Sequence, residues 1–209
     1  MNEGIEIGRL LRAGASSFVA GCRVGASNVP SFGTLVRAPL EPDLGVFGLI
    51  HDIRIEDDGL VRQLVTAEGV SDEVIRDNRE RRIVPIEMSV VVVGWEQAGS
   101  IRHQLPPRPP LSLDQVFPCD DDSIRRFTGT GRFGYFRHLL NMPELPLGEL
   151  LAAHIQQCRL AHSDPDTWTS AAVQEIIVLL RDDYRMLTSV LGALESALGD
   201  RALDEADRQ

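Results

Sequence analysis

Lysine is missing from this 209-residue chain, whose 21 basic residues are all arginine. A P-loop of the usual kind needs a lysine on the β/γ-phosphates, so that nucleotide site is excluded. Schiff-base chemistry and a lysine general base go with it. Cysteine is sparse: Cys22, Cys119 and Cys158 form no C-x-x-C pair, which excludes a zinc ribbon, and an odd, widely spaced set gives no disulfide framework. A reducing, cytoplasmic compartment is the expectation. Long apolar runs are missing too. Val90-Val91-Val92-Val93 is among the longest, far short of the roughly 20 residues a membrane helix needs. The opening Met1-Asn2-Glu3-Gly4-Ile5-Glu6 has no apolar core of a signal peptide, and none is expected. Positive charge is in deficit, with a net −10. A protein that grips DNA or anionic lipid directly carries a basic surface, so direct nucleic-acid binding is disfavoured and no membrane partner is expected.

What is present suffices for a core, with 43% apolar and 25% charged residues. The first hundred residues read as β: short β-branched stretches separated by Gly, Pro, Asn and Asp. Phe18, Ala20, Cys22 and Val24 alternate onto one face. Gly33-Thr34-Leu35-Val36 is a short strand. Leu49, His51, Ile53 and Ile55 fall on one side of the next strand, opposite Asp52, Arg54 and Glu56. Asp57-Asp58-Gly59 is a hairpin signal, and Leu60 to Thr66 returns. Ile83 to Trp95 is apolar on both faces and reads as a central strand. About six strands with turns every 8–12 residues predict a small barrel or sandwich. Ser71 to Arg82 interrupts them as a helical excursion with Ser71 as its cap.

Leu105-Pro106-Pro107-Arg108-Pro109-Pro110 reads as a stiff, extended connector, because proline has no amide donor and restricts the residue before it. An SH3-type ligand is its other reading. The spacing divides the chain into a β domain at 1–105, a proline-rich linker at 106–122 and a helical domain at 123–209. The fold class expected is α+β, a small N-terminal β-barrel followed by helices. Ser123 to Asn141 predicts a first helix weakened by its glycines. Pro146 starts a second, with Leu147, Leu150, Leu151, His154, Ile155 and Cys158 on one face. Ser163-Asp164-Pro165-Asp166 starts a third. There, Val173, Ile177, Leu180, Tyr184, Leu187, Leu191, Leu194 and Leu198 step by alternating fours and threes, a heptad seam that predicts one long helix ending at Gly199. Such a seam packs within its own domain or against a second chain, so a homo-oligomer is one expectation.

Candidate motifs are few. Gly129-Thr130-Gly131-Arg132-Phe133-Gly134 matches G-x-G-x-x-G but follows acids rather than a buried strand, so a flexible or close-packed helix start is the reading and no cofactor is expected. Asp120-Asp121-Asp122 reads as a solvated loop or helix N-terminus rather than a Mg²⁺ site. None of the histidines, His51, His103, His138, His154 and His162, has the H-E-x-x-H spacing; His154 and His162 read as two turns apart on one helix, and no metal is expected. There is no G-x-S-x-G elbow, and Cys22 and Cys158 read as small core residues. Arg76, Arg79, Arg81 and Arg82 form the densest basic strip, a candidate for phosphates or for a subunit contact. Ile177, Leu180, Tyr184, Leu187 and Leu191 are the other candidate partner-binding residues.

The N-terminal segment resembles the HAS-barrel, the small β-barrel at the front of HerA-type DNA translocases and of ATP synthase α and β subunits. The residues that carry the resemblance are Ile7-Gly8-Arg9, Ser17-Phe18-Val19, Gly33-Thr34-Leu35-Val36 and Val46-Phe47-Gly48-Leu49-Ile50-His51-Asp52-Ile53. It covers about the first 60 residues well and the first 105 loosely. In those families the barrel assembles or docks subunits and an ATPase domain follows. Here no Walker motif follows, so the resemblance implies a free-standing, non-enzymatic adaptor, an accessory of a HerA-like ring ATPase and a NurA-like nuclease in DNA-end processing. Direct nucleic-acid binding through the 76–82 strip and an enzyme with an unrecognised site are the alternatives.

Overall fold

The structure is a computed structural model that describes residues 5–24, 30–41, 43–55, 66 and 84–199. Among the described residues seven strands, β1 (Gly8–Ala13), β2 (Ser17–Val24), β3 (Leu35–Glu41), β4 (Leu44–Ile55), β5 (Val84–Gln97), β6 (Ser100–Arg102) and β7 (Gln115–Pro118), form one antiparallel sheet in the order β2-β1-β7-β3-β4-β5-β6. A further β2–β5 pairing closes six of them into a barrel, and β6 hangs on β5 as a hairpin. Closure removes the unpaired edges that would otherwise recruit other chains. The expected hairpin at Asp57-Asp58-Gly59, the return strand that follows it and the helical excursion at Ser71 to Arg82 lie outside the described residues.

Alternation explains the barrel interior. Leu10, Phe18, Ala20, Val36, Ala38, Val46, Ile50, Met88, Val90 and Val92 point inward and are buried. Their neighbours Leu35, Phe47, Leu49, Val91 and Val93 point outward, yet they are buried too, because helices cover them. That is why β5 reads as apolar on both faces: one lines the barrel and the other lies beneath the helices. The expected face of β4 is corrected by a register shift between Ile50 and Asp52. The extra residue, His51, turns the strand over, so that Leu49 faces the helices while Ile53 packs against the barrel interior.

The segment read as a linker supplies a barrel strand. β7 pairs with both β1 and β3, so the barrel is completed by residues beyond the proline run. Pro106 and Pro110 are buried, and Arg108 pairs with Glu41. A PxxP ligand presents its prolines to a partner groove, and here two of them are turned into the protein.

Five helices follow among the described residues: α1 (Asp121–Thr128), α2 (Phe136–Leu140), α3 (Leu147–Cys158), α4 (Pro165–Leu180) and α5 (Tyr184–Gly199). The start signal at Asp164-Pro165 acts as read, and the first helix begins at Asp121, ahead of the expected Ser123. The Asp120 carboxylate accepts from the Ser123 amide (2.9 Å), and that of Asp164 accepts from Thr167 (3.1 Å) with Pro165 in the first turn. The bond to Ser123 also holds the Asp120 carboxyl below its ordinary range. α3 buries Leu147, Leu150, Leu151, His154, Ile155 and Cys158, the face its spacing predicts. No described helix is long and apolar enough to cross a membrane.

The single long helix is corrected. The chain leaves the helix after Leu180 and resumes at Tyr184. In α4 the buried stripe is Trp168, Ala172, Ile176 and Leu180, which keeps Leu180 of the expected seam, with Val173 half-buried against the core. Ile177 is 41% exposed and Tyr184 77%. The break arises because the open flank of α3 offers α5 a better apolar surface than a solvated continuation does. Val190 and Leu194 are buried there, and Gln156 Nε2 donates to the Ala197 carbonyl (3.0 Å).

Candidate functional site

The chemistry-bearing side chains gather where the helices meet the outer face of β3, β4 and β5. Gly33, at φ +83°, ends a tight turn into β3 on which α3 lands; a Cβ there would stand 2.7 Å from that of Ala153 and 2.9 Å from the His154 amide. Only glycine allows that approach. The ring of His154, fully buried, joins the two elements: Nδ1–H donates to the Gly33 carbonyl (3.3 Å), and Nε2 accepts from the Tyr135 hydroxyl (2.9 Å). Cys158 Sγ lies 3.5 Å from Nδ1. Gln157 extends the seam, donating to the Phe32 carbonyl (2.7 Å) and accepting from Thr34 (3.0 Å). Burial lowers the His154 pKa to about 4, raises that of the Cys158 thiol to about 12 and lifts that of the Tyr135 phenol well above its ordinary value. A neutral imidazole, a protonated thiol and a protonated phenol, each with a partner and none open to solvent, make a fastener between barrel and helices.

His103 is the second centre. Its Nε2–H donates to the Phe127 carbonyl (3.1 Å), and its ring packs on Phe127 (centroids 4.8 Å) and on Tyr135 (5.0 Å). The His103 carbonyl in turn accepts from Arg137 and from His138 Nε2 (3.2 Å from the latter). This is where the glycine motif is used. Gly129 closes α1, and Gly131, at φ +60°, passes over His103 so closely that a Cβ would sit 2.9 Å from Nδ1. The G-x-G-x-x-G pattern thus lets a 3₁₀ turn close over an imidazole. Gly131→Ala is expected to lower stability by about 1–2 kcal/mol, from the left-handed φ and the contact together. Urea denaturation of the variant and the parent measures it; an unchanged midpoint would show that the loop does not rest on His103.

A charged clamp completes the junction. Glu96 on β5, 8% exposed, receives Arg126 from α1 and, at 3.5 Å, Arg37 from β3. Arg37 reaches it by lying across Gly45, where a Cβ would meet the guanidinium at 2.5 Å. His162, which follows a 3₁₀ turn after α3 and does not share a helix with His154, bonds Thr128 (2.9 Å) and stacks on Trp168 (4.6 Å). No family model matches the chain, and no curated protein matches it.

Sequence reasoning picked out His154, Cys158 and the glycines singly. It missed Tyr135, His103 and Glu96 as members of the junction, because each meets its partners from a distant part of the chain. Arg76, Arg79, Arg81 and Arg82 lie outside the described residues. Of the heptad candidates, Leu180 is buried, Leu187 and Leu191 are half-buried, and Ile177 and Tyr184 are exposed, so they do not form one surface. Among the described residues no three His, Cys, Asp or Glu side chains are placed to hold a metal ion.

One apolar group stands on the barrel away from the helices. Leu11, 48% exposed, lies over Gly21. Beside it the 111–114 turn presents Leu111 (68%) and Leu113 (70%). The turn is pinned by Leu113 N–H to the Leu10 carbonyl (2.8 Å) and by Leu111 N–H to the Asp114 carboxylate (2.7 Å), which hold Leu113 at φ +75°. A branched side chain held in the left-handed region is backbone strain spent on presenting that residue outward.

Proposed function

We propose that the protein is a non-enzymatic adaptor that docks through its barrel on a protein partner, a ring ATPase of the HerA type with its NurA-like nuclease in DNA-end processing. The observation that supports this is the exposed Leu11, Leu111 and Leu113 group, fixed by the strained turn on the side of the barrel the helices leave free. Rigid exposed apolar residues are the anchors protein interfaces use. The buried junction supports it as well, since the His154 ring, the Tyr135 hydroxyl and the Cys158 thiol each meet a partner within it.

The test is capture of the ring ATPase from the native host by the tagged chain, followed by ATPase and nuclease assays. Capture is expected with the parent and is expected to weaken about tenfold or more for Leu113→Asp, because a charge replaces a desolvated anchor. If the parent purifies alone and changes neither activity, the adaptor reading is wrong.

A further inference from the structure

The hinge between α4 and α5 is barely a break. Arg181 keeps helical dihedrals (φ −53°, ψ −31°). The Asp183 amide donates to the Leu180 carbonyl (2.9 Å), and the Asp183 carbonyl already accepts the first bond of α5, from Leu187 (2.9 Å). The Asp183 carboxylate caps that helix at Met186 N–H (3.0 Å). The break spans only residues 181–183, and it contains neither glycine nor proline. Through the break the apolar seam continues in step, Ile177, Leu180, Tyr184, Leu187. The Asp183 cap favours a helix start here while the apolar seam favours continuation, so the local sequence admits both a bent and a straight form.

We propose that α5 is exchanged between two copies of this chain. In the exchanged form residues 165–199 make one straight helix, and each α5 occupies on the other copy's α3 the site it occupies here on its own. The occupant of that surface is therefore known: it is this helix, with Val190 and Leu194 buried and Gly148 receiving Ala193. Nothing in the α3–α5 contact changes when the copies trade, so the dimer inherits it whole. What the dimer adds lies at the hinge. Ile177, Val178, Tyr184 and Met186 are exposed at 41, 55, 77 and 39%. In the straightened helix Ile177 and Tyr184, one heptad apart, share a face, and two such helices crossing antiparallel at Asp182 bring them together around the two-fold axis, continuous with the α3–α5 contact. A short hinge without glycine is the setting in which such exchange occurs. Docking of the barrel does not require it, so the two proposals fail separately.

The experiment is a cysteine pair, Gly148→Cys with Ala193→Cys. A Cβ at 148 lies 3.3 Å from that of Ala193, close to the span of a disulfide. After mild oxidation of the purified full chain, thiol blocking and denaturing electrophoresis without reductant, exchanged dimers give a covalent species of twice the chain mass that either single variant lacks. Its fraction is expected to rise with protein concentration before oxidation. Inserting two glycines after Asp182 frees the chain to fold back, and the cross-chain species is expected to fall about tenfold while the intrachain link persists. Links confined within single chains at every concentration overturn the proposal, whether the native protein sediments as monomer or as dimer.

Discussion

Phe127→Ala is expected to lower folding stability by about 3–5 kcal/mol, the range for removing a fully buried aromatic ring. Phe127 is the residue on which barrel and helices converge. Its side chain is completely buried, with its ring 4.6 Å from Phe47 of β4, 4.8 Å from His103 and 5.1 Å from Tyr135. It lies on Gly94 of β5, where a Cβ would come within 2.9 Å of the ring. The ring therefore touches two strands of the barrel and two side chains outside its own helix. Truncation leaves a cavity walled by β strands, which cannot collapse into it, so the cost sits high in the range rather than being relaxed away. Phe127→Leu keeps most of the volume and is expected to cost less than half as much. Urea denaturation monitored by the two tryptophans, Trp95 and Trp168, measures both. A loss under about 1 kcal/mol for the alanine variant would mean the helices are held to the barrel by something other than this cluster.

Acid is expected to weaken the fold through His154. The imidazole titrates near its ordinary 6.5 in the unfolded chain and at about 4 when folded, because burial penalises the cation. The folded state thus binds fewer protons than the unfolded state between those values, and stability falls as pH falls. The contribution of the neutral, bonded ring is complete above pH 6.5, declines through the window from 6.5 to 4 and is gone below about 4. At roughly 1.4 kcal/mol per pH unit the window is worth about 3 kcal/mol. Desolvation also lowers the pKa of His51, His103, His138 and His162, so their contributions carry the same sign. His154→Gln removes the largest member of the set. It is expected to be less stable than the parent at pH 7 and to show a flatter loss between pH 6.5 and 4, read from urea midpoints at each pH. Parallel curves for the two proteins would place the acid sensitivity elsewhere.

The parts of this fold that depend on near neighbours were legible in the sequence. Period-two alternation marks β2, a cap and a proline mark the start of α4, and the spacing of Leu147, Leu150, Leu151, His154, Ile155 and Cys158 marks the buried face of α3. The parts that depend on partners far along the chain were not. The proline run looks like an ending because local chemistry gives no sign that β7 will return to sit between β1 and β3. The G-x-G-x-x-G pattern reads as a helix start, and nothing local shows that His103, some 30 residues earlier, lies beneath Gly131.

The two largest corrections share a cause. A bulge at His51 turns β4 over, and the 181–183 hinge turns the long helix back, and in both places the sequence pattern runs on without interruption. By itself the sequence determined which side chains seek burial and with what local period: a barrel lining, a second apolar face on β5, an apolar stripe on α3 and a heptad seam after Pro165. Only the tertiary structure decided what covers each of them, because periodicity states that a face is apolar and carries no information about which distant surface is free to meet it. The open flank of α3 claimed Val190 and Leu194, and the price was a seam divided at Asp182, with Ile177 and Tyr184 left outside.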